Sequence, residues 1–181
     1  AGLGSRFPDV ANASRRMKAS ELGDCVANGA TQVVEIKVGI DGVVLAQGKG
    51  GQTLNVRLRD VYAALAAEPF GQRQTARTWR DVNPALPPIR IEVIGPPPTS
   101  GTRDAFNELY MQAGCDSDPA MQALKKADEA RHKAVCNKIR EDGAYVEAGE
   151  NDNLIVQKLG ANPAAIGVLG FSFLERNLDT L

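Results

Sequence analysis

The sequence predicts an α/β fold, and three observations carry that prediction. Strand-like runs recur at 31–46, rich in β-branched residues, at 89–94, where Ile89, Ile91 and Val93 alternate, and at 164–171, an apolar run with glycines. Between them lie segments whose apolar residues fall at i, i+3, i+4 and i+7, the spacing of one helix face: Leu58, Val61, Tyr62 and Leu65, then Phe106, Leu109, Tyr110 and Ala113. The two kinds of segment alternate along the chain instead of separating into blocks, the order of βα units.

The chain opens with Asp9–Met17, a short apolar step followed by small and polar residues, and a helix-like run containing Cys25 follows from Lys18. Ser14 and Arg15 are candidate anion contacts; the plainer reading is a surface turn that caps the next helix. Thr31–Ala46 reads as two strand segments joined at Asp41-Gly42. Gly42–Lys49 superficially resembles a phosphate loop. Five residues separate Gly42 from Gly48, however, and Gly50 stands where Ser or Thr is required, so the nucleotide-loop pattern fails. Gln47–Gln52 is an exposed turn. Asn55 is placed to cap the helix that begins near Leu58 and ends at Pro69 and Gly71. Residues 72–88 read as a loop or arm in which Trp79 is a packing anchor.

The most informative stretch is Gly95–Phe106, Gly-Pro-Pro-Pro-Thr-Ser-Gly-Thr-Arg-Asp-Ala-Phe. The alternation of Ile89, Ile91 and Val93 brings a strand into it, and the helix carrying Phe106 and Tyr110 leaves it, closed by Gly114. A strand therefore runs into a Ser-Gly-Thr turn that opens a helix. Free N–H groups of the first helical turn, the hydroxyls of Ser100 and Thr102 and the guanidinium of Arg103 are the equipment for holding an oxyanion. Gly101 lets the backbone approach a ligand closely. An ordinary capped helix is the competing reading.

Asp116–Pro119 is a turn, and a charged helix is expected from about Met121 to Arg140. Asp128, His132 and Cys136 share one face of it. Three donors of mixed type without a second pair do not make a zinc site, so no metal is expected and His132 reads as a solvated residue partnered by Asp128. Residues 141–153 are acidic but lack calcium-loop spacing. Asn151 or Asp152 caps a helix over 154–159, with Gly160 just past its end, and 164–171 is a buried strand.

Composition narrows the function classes. The 181 residues are 43% hydrophobic and 24% charged, as in a soluble globular protein. A formal net charge of -1 and a pI near 5.9 provide no basic field for nucleic acid or an anionic membrane. No run approaches a membrane span of about 18 apolar residues. The N-terminus lacks the form of a signal peptide, and Ala1-Gly-Leu-Gly-Ser5 reads as the interior of a longer chain. Nothing calls for a cofactor. Of three cysteines, Cys115 and Cys136 flank a polar, helix-prone segment and are a candidate disulfide in an oxidising compartment, which leaves Cys25 unpaired; three free thiols in a cytosolic protein is the alternative.

Thr99–Phe106, preceded by Trp79…Asn83-Pro84 and followed by Asn162–Phe171, resembles the phosphate-binding protein of bacterial phosphate ABC transporters, a family of type II periplasmic binding proteins. The resemblance covers nearly the whole chain. It implies two α/β lobes, each a central mixed sheet flanked by helices, joined by crossing strands with phosphate closed between them. This chain would supply one complete lobe and part of the other: 1–46 as partial first lobe and crossing strand, 47–181 as second lobe, returning towards the first near the C-terminus. By resemblance, Ser100, Gly101 and Thr102 bind phosphate oxygens, Arg103 is the charge partner, and the segment Asn12–Arg15 contributes Ser14 and a polar neighbour. Some members carry an Asp where Arg15 stands and an Arg where Pro96 stands, and the amino-terminal phosphate loops of the family have no counterpart here. The chain is thus expected to be truncated at both ends relative to the family and prone to self-association through uncovered edges.

The function so implied is periplasmic: a non-enzymatic, phosphate-binding component of an ABC-type import system whose partner is the membrane permease. An enzyme acting on a phosphate ester in the same cleft is the main alternative, and it would need a general base near Ser100, where the sequence offers only Asp104. A phosphate-sensing or adhesion module is the third.

Overall fold

The computed structural model describes residues 10, 11, 13 and 16–181. The chain divides into two units, Ala1–Ile40 and Asp41–Leu181. The first unit contains helix α1 (Ala19–Ala27). Its ends are tied by Lys18 N donating to Glu21 Oε2 at 2.8 Å and by Asn28 Nδ2 donating to Asp24 O at 2.8 Å. Residues 31–40 carry the alternation of a strand without forming one. A strand is held by its ladder, and among the described residues none runs alongside this segment, so Val34, Ile36, Val38 and Ile40 stay exposed.

The second unit begins with β1 (Val43–Gln47), followed by α2 (Leu58–Leu65), α3 (Trp79–Val82) and β2 (Val93–Gly95). Next comes a continuous helical run: α4 (Gly101–Phe106), a π-helical segment (Asn107–Gln112) and α5 (Ala113–Cys115). Then come α6 (Pro119–Ala127), α7 (Glu129–Asn137), β3 (Tyr145–Glu147), α8 (Asp152–Ala161), β4 (Ile166–Gly170) and α9 (Phe171–Arg176). The strands form one mixed sheet in the order β1-β4-β2-β3. β2 runs parallel to both β3 and β4, whereas β1 is antiparallel to β4, with Val43 opposite Gly170 and Gln47 opposite Ile166.

Successive strand residues point to opposite faces, and each face has its own core. Val93, Tyr145, Ile166 and Val168 pack with Tyr62, Leu65, Trp79, Phe106 and Met111 from the helices of one layer. Ile94 and Leu169 pack with Ile155 and Leu159 of α8 on the other, joined by Phe173 and Leu174 of α9. The α/β prediction is met by this helix–sheet–helix layering, and Trp79, fully buried, is the anchor expected of it.

Local expectations differ at several points, each for a visible reason. Of the expected strand 89–94 only Val93 and Ile94 join the sheet, and β2 extends one residue further to Gly95; upstream, Ile91 N donates to Arg77 O at 2.9 Å and Arg90 bridges Thr78. The start of α2 is fixed by Asp60, whose Oδ2 accepts Arg57 N at 3.0 Å, and Asn55 plays no part in it. Gly114 lies within α5 because α2 crosses there: a Cβ would stand 2.3 Å from Leu58 O. Gly160 likewise lies inside α8, whose cap is Asn151, accepting Asn153 N at 3.0 Å. The single helix expected over 121–140 is two, because Asp128 turns its carboxylate back to Arg131 N at 2.9 Å and caps α7. His132 is therefore buried, with Asp116 and not Asp128 as its partner.

Candidate functional site

Because β2, β3 and β4 are parallel, the turns that follow them open on the same sheet edge, the edge outside which ligands sit in open α/β sheets. Three helices start there, and two of the starts already hold carboxylates. At α9, Asp41 accepts Ser172 N at 3.3 Å and Ser172 Oγ at 3.2 Å. Beside it, Asp152, the first residue of α8, accepts Gly170 N at 2.9 Å. Burial pushes the Asp152 carboxyl above its usual range, opposed by the Gly170 bond and reinforced by Asp41.

At the start of α4 the cap and the two residues after it, Ser100, Gly101 and Thr102, are neutral, and Asp104 is the acidic residue of the first turn. Ser100 is the cap: its Oγ accepts Thr102 N at 3.2 Å, its N–H donates to Pro97 O at 3.0 Å, and its carbonyl accepts Asp104 N at 3.1 Å. Gly101 and Arg103 present N–H groups in the first turn, where no preceding helical carbonyl exists to receive them. The turn is braced by Thr99, whose hydroxyl donates to Glu150 Oε1 in the loop after β3.

Arg103 points inward from this turn. Its residue is 7% exposed, its Nη1 donates to Pro96 O at 3.0 Å, and its guanidinium lies 4.3 Å from the centre of the Tyr145 ring. Tyr145 donates its hydroxyl to the same Pro96 oxygen at 2.9 Å. Burial raises the phenol to about 12, with the Arg103 charge working against that rise, so it is a neutral donor at any physiological pH. Gly95 makes this crossing possible: a Cβ there would lie 2.2 Å from the Tyr145 hydroxyl. Behind the turn, Arg103, Asn107, Asn137, Lys138, Arg140 and Tyr145 line a cavity of about 590 Å³. Arg103 Nε, Asn107 Oδ1 and Asn137 Oδ1 are buried without hydrogen-bond partners. Arg140 closes the rear, donating from Nη1 to Ala64 O and Ala76 O and from Nε to Asp142 Oδ1 at 2.7 Å, with Nη2 on Asp142 Oδ2. Its guanidinium beside Asp142 holds that carboxyl below the usual range.

Ser100, Gly101, Thr102 and Arg103 are thus brought to one turn, with the Arg103 side chain behind it. Ser14 and Arg15 lie outside the described residues. Cys115 and Cys136 are disulfide-bonded, and Cys25 has no partner among the described residues. The sequence reading overlooked Tyr145 and Arg140. Arg140 carries only a local signal, a basic residue two positions before Asp142, and Tyr145 is linked to Gly95 only through the sheet.

Residues 4–180 match the PBP superfamily domain. The chain belongs to the PBP superfamily. Among curated proteins, this PBP chain is 29% identical over 175 residues to Protein SphX of Synechococcus elongatus, matching 96% of the chain and 42% of that protein. It is 28% identical over 177 residues to Phosphate-binding protein PstS of Staphylococcus saprophyticus, matching 96% of the chain and 43% of that protein. A solved structure titled as a possible phosphate binding protein from Planctomyces limnophilus superposes with a TM-score of 0.52 at 20% identity, covering 93% of this chain and 49% of that one. The chain therefore spans less than half the length of these relatives, and the mixed sheet flanked by helices is the fold they share. No helix among the described residues is long and apolar enough to cross a membrane.

Proposed function

We propose that this chain carries one side of a phosphate-binding cleft, in the substrate-binding component of an ABC-type phosphate import system. One observation carries the reading: on the ligand-facing sheet edge, α4 starts from a Ser-Gly-Thr turn with the buried guanidinium of Arg103 behind it. Its N–H groups and hydroxyls meet an oxyanion directly, and the Arg103 cation stands behind it as the charge partner. The relatives named for phosphate support the choice of anion. In this reading 47–181 is the second lobe, 1–46 carries the crossing strand and part of the first, and Ser14 and Arg15 belong to the facing contribution. Closure of the two lobes on phosphate would then be what the membrane permease senses. The Cys115–Cys136 bond suits an oxidising compartment such as the periplasm.

The reading is non-enzymatic. The sequence's one histidine is buried and engaged with Asp116, so it is a poor candidate for the general base that hydrolysis of a phosphate ester needs. Isothermal titration at neutral pH tests the proposal, with phosphate as ligand and sulfate as control, on the parent chain and on Gly101→Val. Heat with phosphate, lost in Gly101→Val, is the expected result. Equal heats in parent and variant would overturn it, as would hydrolysis of a generic phosphate monoester that Ser100→Ala abolishes.

A further inference from the structure

Cys115, at the end of α5, meets His132 and Cys136 of α7 in the interior. The three residues are 0%, 1% and 0% exposed. The two sulfurs and one imidazole nitrogen lie within 4.8 Å of one another. Nε2 of His132 is 2.7 Å from Asp116 Oδ1. In the neutral imidazole, a proton on Nε2 directed at that carboxylate leaves the lone pair on Nδ1. Nδ1 is buried and has no hydrogen-bond partner. An orphaned lone pair in the interior is costly unless something uses it. A carboxylate on the far nitrogen is also the arrangement that orients a metal-binding imidazole and fixes its tautomer.

We propose that Cys115, His132 and Cys136 form a latent metal site, which takes zinc or a similar thiophilic divalent cation when the disulfide is reduced. Two thiolates and one imidazole are zinc's preferred donors, and water completes a tetrahedral set. With Zn–S bonds of about 2.3 Å, tetrahedral geometry places the sulfurs about 3.8 Å apart, inside the space the three side chains already share. The two states exclude each other, because a sulfur in a disulfide carries no thiolate charge. Reduction by a phosphine balances as follows: the S–S bond breaks, phosphorus is oxidised to the phosphine oxide with oxygen from water, and the sulfurs take the two electrons and the two protons. Metal entry then displaces the two thiol protons to solvent, while Nδ1 gives its lone pair without losing a proton. Asp116 is the positioning residue. This site is separate from the Ser100 turn and does not depend on the phosphate reading.

The test uses the Cys25→Ala chain, so that the unpaired thiol cannot contribute, reduced with a phosphine in the absence of oxygen and titrated with cobalt(II). One equivalent should bind with thiolate-to-cobalt charge transfer in the near ultraviolet and the intense visible bands of four-coordinate cobalt, and zinc should bleach both. The oxidised chain should give neither band. His132→Ala should weaken cobalt binding more than tenfold, and Asp116→Asn by on the order of 10- to 100-fold. If reduction melts the chain, metal should restore its helical circular dichroism. The inference is overturned by a reduced chain that gives no charge-transfer band, folded or not, or by a His132→Ala chain that binds cobalt as tightly as its parent.

Discussion

Arg103 and Tyr145 converge on one oxygen: both donate to the carbonyl of Pro96, at 3.0 and 2.9 Å, while the guanidinium stacks on the phenol ring 4.3 Å from its centre. The strand end that leads into the Ser100 turn is thereby held by a buried cation and a neutral phenol. Arg103→Met keeps most of the volume and removes the charge, one bond and the ring contact. It should cost about 1–3 kcal/mol of stability, read as a lower urea midpoint at unchanged slope. Phosphate affinity should fall at least about tenfold, the equivalent of about 1.4 kcal/mol. Tyr145→Phe, which leaves the charge in place, should cost about 1 kcal/mol and leave phosphate affinity nearly unchanged. Equal affinity losses in both variants would mean that the brace, and not the charge, supports the ligand.

Gly95 owes its identity to the same crossing. An added Cβ would meet the Tyr145 hydroxyl at 2.2 Å, its Cζ at 2.9 Å and Val168 Cβ at 3.2 Å, and Gly95 is held in register opposite Glu147 of β3. Gly95→Ala should therefore destabilise by about 1–3 kcal/mol through overpacking. In thermal melts, adding Tyr145→Leu should recover part of that loss, whereas Tyr145→Leu alone should be destabilising. An additive double variant would place the clash elsewhere.

Much of this was legible in the sequence, and the rest was hidden for definite reasons. Helical spacing located α2 and the run from α4, β-branched composition located β1, and a short buried-type apolar run located β4, because those signals are local. The turn at Ser100 was legible because strand, glycine and hydroxyls are consecutive. The inward course of Arg103 was not: it depends on Tyr145, 42 residues downstream, reaching past Gly95. His132 was misjudged for a similar reason. Its helix starts only after Asp128, and that one-residue break turns a solvated face into the wall of the interior against Asp116.

The disulfide closes a loop of 21 residues that holds α6 and α7 against the run ending in α5. The entropy of closing such a loop in the unfolded chain predicts a stabilisation of about 3 kcal/mol. Replacing both cysteines with alanine should lower the urea midpoint accordingly, and the loss should exceed that of removing the Lys133–Glu129 surface ion pair by several-fold. Two variants of equal stability would mean that the reduced chain keeps this loop closed by packing alone.

Arg140 makes a pH-dependent contribution whose sign follows from its partner. Asp142 has its carboxyl lowered, first by hydrogen bonds from Arg140, against the opposing effect of burial. A lowered carboxylate stabilises the fold above the unfolded value of 3.8, and that contribution is lost as pH falls below it through the folded value. The Asp142 side chain is 41% exposed, so solvent screening limits the pair to about 1 kcal/mol. Asp142→Asn should therefore melt below the parent at pH 6, and the two melting temperatures should converge as pH falls towards 3, because protonation does to the parent what the substitution has already done. A gap that persists undiminished at low pH would assign the effect to the asparagine's packing and not to the lost charge. The Arg140 bonds to Ala64 O and Ala76 O survive protonation, so Arg140→Met should destabilise more than Asp142→Asn at every pH.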